Sequence, residues 1–243
     1  MHFPYLIKNE NNYNDYLRTI KHAQEVFEHA MTPILDKYFL QLETYQQKLL
    51  NQELDINYLN PMIYTQKEEY FLYMLLIEYS NRFMKEIFYE TSKKIIVLPR
   101  CITGPNFDLF TLRRTKIGWH EIIDCNDREN DAWKLVCIGR RYDIDIFITM
   151  GRRFKEPSFL RVFHNLNKKY GYGNFGLIAV ACIPELALGR TYIMEMGIPT
   201  QAIPLFYSGC AKWHGSENAI TTKFPLTTVL EIMGINDQSC IKL

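Results

Sequence analysis

The C-terminal two thirds of the chain alternates short apolar runs with helical segments. Four runs rich in β-branched residues predict strands, and they are KKIIVLPRC at 93–101, DIDIFITMGRR at 143–153, FGLIAVAC at 175–182 and TQAIPLF at 200–206. Helices are predicted at 128–142, 157–170, 184–196 and 226–233, with Gly171 and Gly197 as C-terminal stops. Because nearly continuous apolar strands need cover on both faces, this pattern predicts an α/β fold with a mainly parallel, doubly wound, Rossmann-like sheet.

The first part of the chain has a helical period instead. Across 14–50, apolar residues recur every three, four or seven positions, at Ile20, Phe27, Met31, Ile34, Tyr38, Leu42, Tyr45 and Leu49. Thr32 and Pro33 interrupt this stripe, as an N-cap and a first helical residue would. A second helix is predicted at 66–91, with one apolar face formed by Tyr70, Met74, Ile77, Met84 and Phe88. We therefore predict a helical section at 1–92 and an α/β domain at 93–243.

Composition and charge exclude several classes of protein. Hydrophobic residues make up 47% of the chain and charged residues 23%, which is a globular rather than a disordered mix. The formal net charge is only +1, so no nucleic-acid partner is expected. The longest apolar run of the helical section, YFLYMLLI, is far shorter than the roughly 20 residues that cross a bilayer, so no membrane span is expected.

The start of the chain, MHFPYLIKNENN, lacks the charged and apolar regions of a secretory signal, so the cytoplasm is the expected compartment. The chain contains six cysteines. In a reducing compartment we expect them as free thiols, catalytic groups or metal ligands rather than as disulfides.

Four of the six cysteines are predicted to meet at one edge of the sheet. Cys101, Cys182 and Cys210 follow predicted strands, and Cys125 precedes the helix predicted at 128–142. Ligands of an open parallel sheet bind beyond the carboxyl ends of its strands. Convergent thiolates favour zinc or an iron–sulfur cluster, such as one with four irons and four sulfurs. Any one of these cysteines is as well explained as a small core residue, and no C-x-x-C spacing is present, so the signal depends on the four together.

Two other roles for the thiols remain open. Cys182 precedes IPEL at a predicted helix start, where the helix dipole lowers a thiol pKa and creates a nucleophile. Cys210 is a second candidate nucleophile or sulfur carrier, with His214 of the loop SGCAKWHGSEN as the base. Alternatively, the thiols fill the core of a non-enzymatic interaction protein whose aromatic-rich helices bind a partner.

A glycine and two arginines follow the second predicted strand. Gly151, Arg152 and Arg153 precede a helix, where backbone N–H groups and guanidinium groups could hold a phosphate or carboxylate. A solvated basic loop explains them equally well, and neither a Walker loop nor a dinucleotide fingerprint is present. A small anionic molecule is therefore the predicted substrate class. His120, beside Trp119 in the connection 102–126, is a ligand or a surface histidine.

Several short motifs occur in a fixed order across 78–235, and they are EYSNRF, IIVLPRC, DIDIFITMG, LIAVACIPEL, MGIPTQAIPL, SGC and VLEIMGI. This ordered combination resembles the domain-of-unknown-function 116 family of archaeal and bacterial proteins. The resemblance implies cysteines at positions that correspond to Cys101, Cys125, Cys182 and Cys210, and hence a metal or iron–sulfur site without a settled activity. This chain departs from the family at IIDCNDREND, which carries one cysteine where relatives carry several.

Overall fold

The computed structural model describes residues 67–103, 107–150, 157–206 and 222–235, together with Arg18, Lys21, His22 and Glu25. Within these ranges, the strands are β1 (Lys93–Pro99), β2 (Phe110–Arg114), β3 (His120–Cys125), β4 (Asp145–Thr149), β5 (Phe175–Ala181) and β6 (Thr200–Pro204). The helices are α1 (Lys67–Glu90), α2 (Asp131–Tyr142), α3 (Phe159–Tyr170), α4 (Ile183–Glu195) and α5 (Leu226–Ile232). Short 3-10 helices occupy Arg100–Thr103 and Phe107–Leu109.

All six strands form one sheet in the order β2-β3-β4-β1-β5-β6. The four strands β4, β1, β5 and β6 are parallel, which confirms the predicted α/β fold with a mainly parallel, Rossmann-like sheet. Strand β1 lies between β4 and β5, and its residues Ile95, Ile96, Val97 and Leu98 are all buried. Burial on both faces explains why these strands are continuous apolar runs rather than alternating ones.

The connection predicted at 102–126 contains an antiparallel hairpin, β2 and β3, that the sequence analysis did not predict. Only Phe110 is buried in the edge strand β2, so this strand lacks the apolar run that identified the others. The hairpin turn packs closely on the rest of the domain. Gly118 has φ 110°, and a Cβ atom there would lie 2.5 Å from Cγ of Pro157, so glycine is required both by conformation and by space.

The helices predicted at 66–91, 128–142, 157–170, 184–196 and 226–233 are confirmed, with shifts of a few residues at their ends. Helix α2 begins at Asp131 rather than at 128 because the side chain of Asn130 accepts a hydrogen bond from the N–H of Ala132 (2.9 Å). Gly171 ends α3 with φ 89°, and Gly197, with φ 62°, follows α4. These positive φ angles fit the predicted C-terminal stops.

Helix α1 packs on β5, β6 and α4, and it closes the free edge of β6. The side-chain amide of Asn81 donates to the carbonyl of Ala202 (2.9 Å) and accepts from its N–H (2.7 Å). Gln201 donates to the carbonyl of Asn81 (2.9 Å). Asn81 thus satisfies edge groups that would otherwise be open to another strand. Ile77 and Phe88 of α1 belong to the same core as the sheet, and the division of the chain at residue 92 stays a prediction.

A charged cluster ties α3 to the amino ends of β4 and β1. The Tyr170 hydroxyl donates to the Asp145 carboxylate, which also accepts from Lys169 (3.1 Å) and lies 3.5 Å from Nζ of Lys93. Burial raises the pKa of Asp145, but the hydrogen bonds and the two lysines outweigh burial, so the net pKa lies below its usual value. Burial and the nearby carboxylates raise the pKa of Tyr170, which therefore stays protonated as a donor.

Most of the predicted helical segment at 14–50 lies outside the described residues. Arg18, Lys21, His22 and Glu25 are described, and they are helical and exposed. Among the helices that the structure describes, none combines the length and the apolar character needed to cross a membrane.

We predict that Asn81→Ala lowers the free energy of unfolding by about 2 kcal/mol, because two hydrogen bonds to the edge strand are lost. Chemical denaturation measures this change. Arg82→Ala is the control, since Arg82 forms only an exposed ion pair with Glu78 one helical turn away, worth about 0.5 kcal/mol or less. Equal losses in both variants would contradict the role given to Asn81.

We predict that Asp145→Asn destabilises the fold by about 1–3 kcal/mol at pH 7. A carboxylate whose pKa is lowered on folding stabilises the protein above its unfolded pKa, and this contribution is lost as the pH falls through the folded value. The difference between wild type and variant should therefore shrink below about pH 4, as measured by urea denaturation at pH 7 and pH 3.

The control for this series is Asp143→Asn. Asp143 pairs with Lys93 (2.9 Å), but its side chain is almost fully exposed, so the substitution should cost about 0.5 kcal/mol or less. A stability difference for Asp145→Asn that is the same at pH 7 and pH 3 would argue against a charged role for this carboxylate.

Candidate functional site

The sheet has a topological switch point between β1 and β5. After β1 the chain forms β2, β3 and β4 on one side of β1, and from β4 it crosses back over β1 to β5 on the other side. Successive connections therefore diverge at the carboxyl ends of β1 and β5, an arrangement that creates a crevice in open α/β sheets. In open α/β sheets, this crevice is where ligands bind.

Two of the predicted thiols lie at this switch point. Cys101 comes two residues after the end of β1, and Cys182 directly follows the end of β5. The two strands pair in parallel with Val97 opposite Ala179, and neighbouring strands are about 5 Å apart. Continuing this register by three residues takes the chain to Arg100 opposite Cys182. The structure therefore brings Cys101 and Cys182 to the same end of two adjacent strands, as the sequence predicts.

Cys182 also begins a helix. Its carbonyl accepts the hydrogen bond from the N–H of Leu186 (3.0 Å), which is the first bond of α4. The residue is 8% exposed, whereas Cys101 is half-buried. A thiol at a helix start lies near N–H groups that have no partner within the helix, and this position favours an anion. Cys182 is thus placed at the N-terminal end of α4.

The segment that carries Cys210 and His214 leaves and returns at the same edge. The N–H of Phe206 donates to the carbonyl of Lys223 (3.0 Å), and the N–H of Thr222 donates to the carbonyl of Cys101 (3.1 Å). These two bonds hold both ends of the segment 207–221 at this edge, with Thr222 beside Cys101 and Phe206 just beyond the end of β6. The hydroxyl of Thr222 is buried and has no hydrogen-bond partner among the described residues. Leaving a buried hydroxyl unpaired is costly, so this oxygen is a candidate ligand contact.

Cys125 does not lie at the carboxyl edge, and this part of the prediction is wrong. Strand β3 runs antiparallel to β4, with His120 opposite Ile148. Cys125 is the last residue of β3, five residues farther from the carboxyl edge, and so roughly 16 Å from His120. The prediction assumed that the residue before the helix follows a parallel strand. The antiparallel hairpin reverses the chain and carries Cys125 away.

The surroundings of Cys125 are those of a core residue. Its side chain is 0% exposed, and its thiol donates to the carbonyl of Asp127 at 3.6 Å. Burial raises the pKa of the Cys125 thiol, although the bond to Asp127 and the Arg128 charge oppose this change. Cys137 lies within α2, as expected.

The predicted four-thiolate site therefore does not form as proposed. Two sulfur atoms that share one zinc ion lie no more than about 5 Å apart, which Cys125 cannot satisfy with Cys101 or Cys182. Across the parts of the chain that the structure describes, no group of three or more His, Cys, Asp or Glu side chains could hold a metal. Any metal site at this edge would need a ligand from outside the described residues, which is where Cys210 and His214 lie, as do Gly151, Arg152 and Arg153.

The hairpin brings a further residue to the carboxyl edge. His120 begins β3 beside Ile148, near the end of β4, and the sequence left its role ambiguous. The neighbouring Trp119 is 2% exposed, and its ring packs edge-on against Phe163 with centroids 5.9 Å apart. Buried packing of this tryptophan fixes the position of the hairpin turn and hence of His120. Only the pairing of β3 with β4 reveals this placement, because no motif surrounds His120.

Both ends of the predicted anion-binding loop lie at the carboxyl edge of the sheet. Met150, which is buried, follows β4, and Pro157 precedes α3 and packs against Gly118 of the hairpin turn. The segment 151–156 therefore starts at the carboxyl end of β4, next to β1. Gly151, Arg152 and Arg153 are within this segment.

Comparisons with protein-family models, with curated proteins and with solved structures give no match for this chain. The resemblance to the domain-of-unknown-function 116 family stays a prediction that rests on the motifs themselves. The observations that bear on function are thus those at the carboxyl edge, namely two thiols at neighbouring strand ends and two flanking segments that begin beside them.

Proposed function

We propose that the crevice at the carboxyl ends of β1 and β5 is a thiolate site that acts on a small anionic molecule in the cytoplasm. The observation that carries this proposal is the position of Cys101 and Cys182 after adjacent parallel strands at the topological switch point. In this proposal Cys101, Cys182 and Cys210 hold zinc or an iron–sulfur cluster, while Arg152 and Arg153 bind the anionic group.

Chain length supports Cys210 as the third sulfur. Cys210 follows Phe206 by four residues, so it lies within about 14 Å of that residue even in an extended chain. The bond from Phe206 to Lys223 and the bond from Thr222 to Cys101 hold both ends of this segment at the crevice. Cys210 is therefore within reach of the other two thiols, whereas Cys125 is not.

Three thiolates suit a site that keeps one position open. Zinc sites with catalytic roles use three protein ligands and leave the fourth position to water or substrate, where the ion acts as a Lewis acid. The protein would supply the remaining interactions. The N–H groups at the start of α4 favour negative charge, and the buried hydroxyl of Thr222 is available to hydrogen-bond a ligand.

The arginines supply the recognition of the anion. Arg152 is two residues past Met150, at the end of a strand that neighbours β1. A guanidinium group binds phosphate or carboxylate through two parallel hydrogen bonds, which fixes orientation as well as charge. This role predicts a substrate that carries such a group.

A second candidate function uses the thiols without a metal. The first hydrogen bond of α4 is accepted by the carbonyl of Cys182, so its thiol lies at the positive end of the helix dipole. In this candidate Cys182 or Cys210 is a nucleophile or sulfur carrier, and His214 is the base that takes the thiol proton. The two candidates differ in whether the purified protein contains metal.

Our prediction for the first candidate concerns metal content. Protein purified without oxygen should contain zinc, or iron with acid-labile sulfide, and Cys101→Ala and Cys182→Ala should each lose most of it because a ligand is removed. Elemental analysis and sulfide determination on the full chain measure this directly.

The matched control is Cys125→Ala, which removes a thiol that lies away from the crevice. It should retain the metal content of the wild type, although deleting a buried sulfur lowers stability by about 1–2 kcal/mol. Metal-free protein that is folded and active rejects the metal site. Loss of metal from Cys125→Ala to the same extent as from Cys182→Ala would contradict the geometry proposed here.

For the metal-free candidate, we predict unequal thiol reactivity. Iodoacetamide at neutral pH should alkylate Cys182 or Cys210 much faster than Cys125, whose pKa is raised by burial and whose side chain is covered. Peptide mass spectrometry over a time course gives each rate. His214→Asn should slow the fast thiol, and uniformly slow alkylation of all the cysteines would exclude this candidate.

A further inference from the structure

Helix α1 is apolar on two faces rather than one. Its inner face, which includes Ile77, Met84 and Phe88, is buried against the sheet and α4. A second row of large apolar side chains is exposed on the other side. We call this row the outer stripe, and it consists of Leu72, Leu76, Tyr79, Phe83 and Ile87.

The outer stripe is exposed to an extent unusual for residues of this size. Tyr79 is 58% exposed and Phe83 is 49% exposed, and their rings stack with centroids 6.2 Å apart. Leu75 lies beside the stripe and is also exposed. A contiguous apolar surface of this kind marks a binding face, and a helix that is apolar all round is normally buried.

We propose that residues 34–49 of the same chain form a helix that packs antiparallel on the outer stripe. This segment belongs to the 66 residues that precede α1. Its apolar residues recur with helical spacing and begin after Pro33, which suits a first helical position. The proposal is independent of the thiolate site and concerns a different surface.

The spacing of the two stripes matches in one direction only. The outer stripe has steps of four, three, four and four residues, and the residues Ile34, Tyr38, Leu42, Tyr45 and Leu49 have steps of four, four, three and four. Reversing the second series reproduces the first. An antiparallel alignment therefore brings Leu42 opposite Tyr79 and Tyr38 opposite Phe83, over a contact length of about 22 Å. A parallel alignment breaks the register at the three-residue step.

The chain between the two segments can make this connection. Residues 50–66 extend to about 50 Å, and antiparallel neighbours require only a short link between the end of one helix and the start of the next. Covalent attachment also gives the segment a high effective concentration at α1, which a separate molecule lacks. This proximity favours the chain's own segment over a second copy as the occupant.

Isolated helices of this length are marginal in water, so residues 34–49 need a surface to pack on. A helix that packs on α1 with one face needs polar residues on its other face, and the described residues that precede 34–49 are polar. Arg18, Lys21, His22 and Glu25 are helical and exposed, and their spacing of three and four residues places them on one face. The N-terminal section thus presents charge to solvent at these positions.

Hydrogen exchange with mass spectrometry on the full chain tests this proposal. Amides of 34–49 should be protected in the wild type, and Phe83→Glu should reduce their protection at least about tenfold, because a charge then faces the apolar segment. Tyr89→Glu is the matched control. It adds the same charge to an exposed aromatic position of α1, roughly 120° around the helix from Phe83, and should leave the protection unchanged.

Three outcomes would overturn the proposal. Exchange of residues 34–49 at free-peptide rates in the wild type would reject this segment as the occupant. Sedimentation as a dimer, with protection of 72–87 that depends on protein concentration, would identify a second copy instead. Equal loss of protection in Phe83→Glu and Tyr89→Glu would show that the contact is not made through the outer stripe.

A cysteine pair gives a readout that does not depend on a destabilising charge. Under mild oxidation, the double variant Leu42→Cys with Tyr79→Cys should form a disulfide within one chain, identified by peptide mapping. The pair Leu42→Cys with Tyr89→Cys should not. A disulfide between chains in the first variant, or equal yields in both, would contradict the antiparallel alignment.

Discussion

The parallel pairing of β1 with both β4 and β5 determines which residues meet at the carboxyl edge of the sheet. It joins segments of the chain that are roughly 50 and 80 residues apart in sequence, and main-chain hydrogen bonds along both sides of β1 hold them. Because β1 is central and buried on both faces, its end cannot shift without disturbing its neighbours. The residues that follow these strands therefore meet at the crevice as a consequence of topology rather than of local sequence.

The sequence was sufficient to predict the strands that are buried on both faces, and it was insufficient to predict those at the edge of the sheet. FGLIAVA is recognisable as β5 because all of its residues but the last are buried, and KKIIVLP is recognisable as β1 because its four central residues are buried. FTLRR, which forms β2, has one buried residue and two arginines, so its composition does not distinguish it from a loop. Strand direction is also set by long-range pairing and not by composition. For this reason the position of Cys182 could be predicted, whereas that of Cys125 could not.

Cys125, at the end of β3, and Cys182, directly after β5, show how the position of a thiol in the fold determines its chemistry. Cys125 is the last residue of β3 and Cys182 directly follows β5, and both are buried and precede a helix. Cys125 donates its thiol hydrogen to a carbonyl within the core, and burial raises its pKa, so it remains a neutral thiol near pH 7. Cys182 directly follows a parallel strand, and its carbonyl accepts the first hydrogen bond of α4 at the switch point. Of these two cysteines, Cys125 therefore packs in the core, whereas Cys182 lies at the candidate functional site.

Helix α1 has two apolar faces, of which one packs on the sheet and the other is the exposed outer stripe. On its inner side, Asn81 occupies the hydrogen-bonding groups of β6 that another strand would otherwise use, and Phe88 fits against Gly176, where a Cβ would lie 2.7 Å from its ring. The apolar period that identifies this side in the sequence does not reveal the outer stripe, because one helix with two apolar faces shows a weak periodicity. In our proposal, a helix that both covers the edge of the sheet and carries an apolar outer face gives residues 34–49 a surface on which to fold.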